Sequence, residues 1–164
     1  MERKYILSAD KAKMKLRRMA FEVMERNATE KQLVLAGIKG NGIEIAQMLK
    51  KMLSEISTFS IDLLLINIDK KNPLVCQVEN NIALGDKVVL VIDDVVNSGK
   101  TLLYSLLPLL KASPKKIETL TLVERSYKTH PIHVDYVGIS LATTFHDHII
   151  VEINDGNLVG AYLH

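Results

Sequence analysis

The sequence has 164 residues, about the size of one ordinary domain, and 48% of them are hydrophobic while 24% are charged. This balance is typical of a globular chain and excludes a disordered one. The net charge of +2 is too small to indicate a nucleic-acid partner by itself, and the single cysteine excludes a disulfide framework or a cysteine-based zinc cluster. No bilayer-length apolar run and no secretion signal are visible, so we expect a cytoplasmic protein without membrane contact.

The first part of the chain predicts two helices that alternate with strands. Ser8 is a suitable N-cap for a helix over residues 8–27, whose apolar residues fall on one stripe. Residues 32–38 are typical of a short buried strand, and a second helix is expected over residues 42–53. A further apolar run over residues 59–68 predicts another strand.

The rest of the chain continues the alternation after one long polar segment. Asp69–Asp86 has no clear period, so we predict a flexible loop at about 67–86. Residues 101–111 have a helical pattern that Pro108 should kink or shorten. Further strands are predicted at Ile117–Val123, Val134–Gly138 and Ile149–Ile153. The alternation predicts a single α/β domain over residues 1–164, with a doubly wound, mostly parallel sheet flanked by helices.

The most informative segment begins with five apolar residues, Val88–Ile92, typical of a buried parallel strand. Two carboxylates, Asp93 and Asp94, follow at its carboxyl end, where open α/β sheets bind their ligands. The small polar turn 97–101 then leads into a helical pattern, and such a turn presents backbone N–H groups to an anion. An acidic pair beside an anion site suits a ligand with vicinal hydroxyls and a phosphate, which describes a sugar phosphate.

Two other interpretations of this segment are possible. Gly99-Lys100-Thr101 is similar to the end of a P-loop, but that motif needs glycine where Asp94 stands, and a carboxylate would repel the triphosphate. The segment could also be a strand, an exposed acidic turn and a helix cap that bind nothing. The intact order of strand, acids, turn and helix favours a ligand site.

This segment closely resembles the phosphoribosyl-pyrophosphate (PRPP) motif of the type I phosphoribosyltransferases. The resemblance implies that Asp93 and Asp94 hold the ribose hydroxyls and act in catalysis. It also implies that the turn cradles the 5′-phosphate through Asn97, Ser98, Gly99, Lys100 and Thr101. Asn97 departs from the pattern, because purine-salvage members usually carry an aspartate there that takes part in proton transfer.

A second glycine-rich turn, Gly37–Gly42, lies between a predicted strand and a predicted helix. By itself it could be only a tight turn. The family resemblance implies a pyrophosphate loop here, with Lys39 as a catalytic cation and binding by Gly40, Asn41 and Gly42. It also predicts a cis peptide between Ile38 and Lys39. Many members, the pyrimidine regulators included, carry arginine where Asn41 stands, and losing that charge should weaken pyrophosphate binding.

The resemblance covers nearly the whole chain and is closest to the uracil-using, RNA-binding regulators of the family. It includes Val34–Ala46, Leu122–Gly138 and Leu158–Tyr162. In the second of these segments, Arg125 ends a predicted strand and can reach an anionic or planar ligand, although a solvated surface role is an alternative. Tyr136 and Val137 end another, where the family recognises the base largely through backbone groups. Phe145 could stack on a base or belong to the core.

The predicted function is transfer of ribose 5-phosphate from PRPP to a nucleobase, with uracil favoured and pyrophosphate released. The resemblance further implies a homodimer and a Mg²⁺ ion that arrives with the substrate, which Asp93 and Asp94 would hold indirectly. The predicted flexible loop contains no arginine, only Lys70 and Lys71, so turnover could be slow.

Two alternative functions remain open at this stage. The first is a ligand-sensing, RNA-binding regulator with weak or no catalysis, and the second, more distant one is a purine-salvage enzyme. The regulator needs a contiguous basic face, although a basic helix face is more often only solvated. The candidates for that face are Lys11, Lys13, Lys15, Arg17 and Arg18.

Overall fold

The computed structural model describes residues 3–144 and 147–164. Its helices are α1 (Ala9–Arg26), α2 (Asn41–Ile56), α3 (Lys100–Ser105) and α4 (Leu107–Ala112). Its strands are β1 (Lys4–Ser8), β2 (Gln32–Ile38), β3 (Ser60–Ile68), β4 (Cys76–Val78), β5 (Val88–Val96), β6 (Lys116–Arg125), β7 (Tyr136–Leu141), β8 (Ile149–Asn154) and β9 (Asn157–Leu163). No helix within the described ranges is long and apolar enough to cross a membrane.

A six-stranded sheet in the order β4-β3-β2-β5-β6-β7 forms the centre, and only β4 runs antiparallel to its neighbour. Alternate residues of β2 enter separate cores on the two faces, because strand side chains point to opposite sides. Leu33 and Leu35 pack in the core beneath α1 and α2, whereas Val34 and Ala36 pack in the core beneath α3 and α4. The predicted doubly wound, mostly parallel α/β sheet is confirmed.

A second, antiparallel sheet in the order β1-β9-β8 was only partly predicted, since β1 and β9 were missed. The pattern of β9 is interrupted by Gly160, which has a φ of 151°, and a Cβ there would lie 2.5 Å from the Leu7 carbonyl oxygen, so both conformation and space require glycine. β8 contacts β5, and its residue Ile149 lines a cleft at the carboxyl end of the central sheet. The small sheet therefore helps to enclose that end.

Two residues that the sequence marks as helix boundaries, Ser8 and Pro108, lie at helix starts in the structure. Ser8 caps α1, with its hydroxyl accepting a hydrogen bond from the Lys11 amide at 3.4 Å. The helix after the central strand is divided at Leu106, and Pro108 lies in the first turn of the second part, as its missing N–H requires. The polar segment 69–86 is mostly irregular, but it contains the unpredicted strand β4, which pairs with the end of β3.

Candidate functional site

The acidic pair lies near the carboxyl end of β5, where it borders a cleft of about 210 Å³. Hydrogen bonding to β2 and β6 on either side fixes the strand, and Asp93 itself pairs with Thr121 of β6. The cleft is lined by both carboxylates, the whole 97–101 turn, Lys70 and Ile149. The structure therefore joins the two halves of the predicted ribose-phosphate site, and it adds one of the two loop lysines.

Asp93 is the more buried carboxylate, with 9% of its surface exposed. Its Oδ1 accepts a hydrogen bond from the Asp94 amide at 2.9 Å. Burial raises the pKa of Asp93 well above its usual range, and the neighbouring charge of Asp94 raises it further, while Lys70 acts in the opposite direction. A carboxylate held in this way costs stability and gains a favourable partner when a hydroxyl or cation binds.

Asp94 is oriented from two sides. Its Oδ1 accepts the Val95 amide at 2.9 Å, and its Oδ2 accepts the side-chain amide of Asn41 at 2.8 Å. The same Asn41 nitrogen donates to the Val151 carbonyl of β8 at 2.9 Å. Asn41, expected to bind pyrophosphate, thus connects the start of α2 to the acidic pair and to the small sheet.

The 97–101 turn is fixed by a left-handed glycine and by the following chain. Gly99 has a φ of 83°, and a Cβ there would lie 2.5 Å from the Ile132 side chain, so both conformation and space require glycine. The Ser98 carbonyl accepts hydrogen bonds from the amides of Thr129 and His130, at 3.1 and 3.0 Å. The Ser98 hydroxyl accepts the Lys100 amide at 3.2 Å. The conformation of the turn is therefore fixed by its own contacts and by the chain that follows it.

The glycine-rich turn approaches the acidic pair closely, at the start of α2. A Cβ on Gly42 would lie 2.7 Å from the Ile92 carbonyl oxygen, so only glycine allows this approach. Lys39 is exposed, donates its amide to the Ile66 carbonyl at 2.8 Å, and does not line the cleft. The predicted cis peptide at residues 38–39 is wrong, because the described chain contains none. The turn is made instead at Gly40, with a φ of 104°.

A second cleft, of about 260 Å³, adjoins the first through Asn97 and Ser98. Its other lining residues are Arg125, Tyr127, Thr129 and His148. The Arg125 guanidinium donates to the carbonyl oxygens of Thr144 and Asp147, so it has a fixed position at the end of β6. Sequence reasoning missed Tyr127, which is 75% exposed; its one signal was an aromatic residue two positions after that arginine.

Two predicted base-binding residues lie away from both clefts. Tyr136 is fully buried, its hydroxyl donates to Glu118, and the Arg26 guanidinium lies 4.7 Å from the ring centroid. The Val137 carbonyl accepts a hydrogen bond from Arg18 at 2.8 Å. Tyr136 begins β7, and Val137 pairs with Thr121, the residue that pairs with Asp93 on the other side, so the predicted base contact of these two residues stays a prediction. Phe145 lies outside the described residues.

Comparison with known proteins agrees with this geometry. Residues 2–155 match the model of the phosphoribosyl transferase domain, and the chain belongs to that family. It is a phosphoribosyltransferase by class.

Relatives of similar length share about a third of its residues. The Bifunctional protein PyrR of Haemophilus ducreyi is 32% identical, with 98% of this chain and 97% of the relative covered. The Bifunctional protein PyrR of Bacillus pumilus is 30% identical, with 99% of each covered. The resemblance to the pyrimidine regulators of the family is thereby confirmed.

Solved structures support the fold alone, since their identities are low. The hypoxanthine phosphoribosyltransferase of Trypanosoma cruzi superposes with a TM-score of 0.82 at 14% identity, covering 98% of this chain and 95% of that one. A hypoxanthine-guanine phosphoribosyltransferase of Bacillus anthracis gives 0.76 at 16% identity, with both chains fully covered.

Proposed function

We propose that this protein transfers ribose 5-phosphate from PRPP to uracil and releases pyrophosphate. The observation that carries the proposal is the single cleft in which Asp93, Asp94 and the 97–101 turn meet. Carboxylates accept hydrogen bonds from vicinal hydroxyls, and the turn offers amides and Lys100 to a phosphate. A ribose 5-phosphate fits both halves of this cleft, because its hydroxyls match the carboxylates and its phosphate matches the turn.

The reaction breaks the bond between C1 of the ribose and the pyrophosphate oxygen, which leaves with the bonding electron pair. It forms a bond from C1 to a base nitrogen, which releases its proton to solvent. Positive charge develops at the ribose in the transition state, so the nearby carboxylates stabilise it electrostatically. Lys70 lines the cleft and supplies a positive charge beside the acids, at the place where the loop lacks arginine. The adjoining cleft with Arg125 and Tyr127 is the proposed site of the base.

Magnesium would enter this site with the substrate. Asp93 and Asp94 offer oxygen donors, which suit a hard cation. Among the residues that the structure describes, no group of three or more His, Cys, Asp or Glu side chains could hold a metal ion. The two carboxylates would therefore share the ion with oxygens of PRPP, and the ion would neutralise the departing pyrophosphate.

The test is PRPP-dependent nucleotide formation with uracil, hypoxanthine and guanine, measured by pyrophosphate release at saturating PRPP. We expect uracil to be used fastest, because Asn97 cannot exchange a proton with a purine as aspartate can. Faster turnover with either purine would contradict the choice of base while leaving the reaction class intact.

The site itself is tested with a matched pair of carboxylate variants. Asp94→Asn should weaken PRPP binding without unfolding the protein, because a half-buried strand-end carboxylate contributes little to the core. Glu55→Gln is the control: it removes an exposed carboxylate near the far end of α2, roughly 20 Å along the helix axis. Equal PRPP affinity in the two variants would remove Asp94 from the site.

A second candidate function, RNA binding, is favoured by the outer face of α1. Lys11, Lys13 and Arg17 are exposed there, and the Arg17 guanidinium lies 5.7 Å from the ring centroid of Phe21. Arg18 is already engaged with Glu22 and with the carbonyls of β7, and Lys15 is half-buried, so the basic face is smaller than the sequence indicated. Basic and aromatic side chains together suit single-stranded RNA.

RNA binding would be recognised by its salt dependence. Anisotropy of a labelled single-stranded RNA should give a plot of log affinity against log salt with a slope of roughly −0.7 for each phosphate contacted. Reversing Lys11, Lys13 and Arg17 to Glu should flatten that slope while PRPP affinity stays unchanged. An unchanged slope would exclude this face as the RNA site.

The remaining expectations concern assembly and location. A homodimer is proposed from the family resemblance, and light scattering coupled to gel filtration would test it. A cytoplasmic location is likewise proposed, and fractionation of cells that express the protein would test it.

A further inference from the structure

We infer that Glu124 and Lys128 form a positioning pair that holds the 97–101 turn in its anion-binding shape. The inference deepens the proposed function and rests on it. Neither residue lines the cleft of the acidic pair, so neither is proposed to touch PRPP. Their side chains form an ion pair and are only 14% and 16% exposed, which is unusual for a surface Glu–Lys pair.

The ion pair joins the end of β6 to the chain that follows it. Glu124 lies in β6 and pairs with Val96 of β5, the residue just before the 97–101 turn. Lys128 is in the clamp segment, which we define as residues 126–132. Because β6 is held by the sheet, the ion pair fixes the clamp segment to a rigid element.

The clamp segment in turn contacts the 97–101 turn through four of its residues. The amides of Thr129 and His130 both donate to the Ser98 carbonyl. A Cβ on Gly99 would lie 2.5 Å from the Ile132 side chain and 3.5 Å from Cδ of Lys128, so the lysine stem itself packs against the turn. The helix that follows the turn, α3, has six residues and gives little support of its own.

Breaking the pair should therefore release the turn without removing any group that contacts substrate. Small displacements of a binding group are costly: a shift of about 1 Å can reduce catalytic efficiency about 100-fold. Because the turn is proposed to bind the 5′-phosphate in ground and transition state alike, the loss should be expressed mainly in KM for PRPP.

The test compares three single variants at the pair, and the double variant Glu124→Ala/Lys128→Met, with one control. Lys128→Met keeps an apolar stem but removes the charge, Glu124→Ala removes the partner, and Lys128→Arg retains the pair. The control is Lys111→Met, which removes an exposed lysine of α4. We measure kcat and KM for PRPP, affinity for ribose 5-phosphate by calorimetry, and thermal unfolding.

We expect Lys128→Met and Glu124→Ala each to raise KM for PRPP about tenfold, with kcat changed less than twofold. The double variant should be no worse than either single variant, because one interaction is lost in all three. Lys128→Arg should restore at least half of the affinity, and Lys111→Met should behave as the wild type.

Two other results would overturn the inference. If Lys128 bound the phosphate directly, Glu124→Ala would free it, and KM for PRPP would stay constant or fall while Lys128→Met raised it. If wild type and variants all bound ribose 5-phosphate equally well, the pair would have no positioning role although the proposed function would stand. Absence of PRPP and ribose 5-phosphate binding in the wild type would instead overturn the proposed function, and the inference with it.

Discussion

Replacing Asn41 by aspartate tests the connection between the glycine-rich turn and the acidic pair. The Asn41 amide nitrogen lies 2.8 Å from Asp94 Oδ2 and 2.9 Å from the Val151 carbonyl, so the variant places a carboxylate beside a carboxylate and a carbonyl. Two like charges about 4 Å apart repel by about 4 kcal/mol at an effective dielectric constant of roughly 20. The two lost hydrogen bonds add about 1 kcal/mol each.

The pH dependence follows from the sign of the repulsion. The new pair raises the pKa of its carboxyl groups in the folded state, so their contribution to stability is greatest at low pH and is lost as pH rises through the raised pKa. Urea unfolding should therefore show Asn41→Asp less stable than wild type by about 6 kcal/mol at pH 8, with a smaller loss at pH 5.

Asn41→Ala is the matched control, because it removes the same two hydrogen bonds without adding charge. We expect it to lose about 2 kcal/mol at both pH values. Equal losses in the alanine and aspartate variants at pH 8 would refute the reasoning, since they would show that no charge repulsion acts between residues 41 and 94.

Three further predictions concern the acids, the buried tyrosine and the metal. Asp93→Asn should raise the thermal midpoint at pH 8 relative to wild type, because burial raises the pKa of Asp93 and its ionisation opposes folding; a lower midpoint would contradict this. The same variant should abolish PRPP binding. Tyr136→Phe should cost about 1–3 kcal/mol in urea unfolding, because buried Glu118 loses its hydroxyl partner, while KM for PRPP stays constant. Removing Mg²⁺ with a chelator should weaken PRPP binding in calorimetry more than it weakens ribose 5-phosphate binding, because the pyrophosphate carries the charge that the ion neutralises.

The central sheet was predictable because its strands are continuous apolar runs that need no partner to be recognised. Residues 32–38 were predicted with the observed bounds, and Ser8 and Pro108 marked helix boundaries through their own backbone chemistry. β1 was missed because it pairs with β9 at the other end of the chain, and such pairing leaves no local signal, whereas β9 lies between β1 and the neighbouring strand β8. β4 has only three residues, too few for a recognisable pattern, and pairs with the end of β3.

The candidate site divides in a similar way between local and long-range features. Asp93, Asp94 and the turn are consecutive in sequence, so their juxtaposition was predictable from one strand and one turn. The hydrogen bond from Asn41 to Asp94 was not predictable, because it joins residues 53 positions apart. Tyr136 and Val137 line neither cleft, and their expected role in base binding stays a prediction.

The charges of the cleft support the proposal that a cation arrives with the substrate. Among its lining residues, Asp93 and Asp94 face two lysines, Lys70 and Lys100, so the four formal charges cancel before any ligand enters. Asn41 binds Asp94 as a neutral group, whereas an arginine there would add a positive charge. PRPP brings both a phosphate and a pyrophosphate into this balanced cleft. Its added negative charge has no surplus of protein cations to meet it, so PRPP affinity should depend more steeply on Mg²⁺ here than in an Asn41→Arg variant.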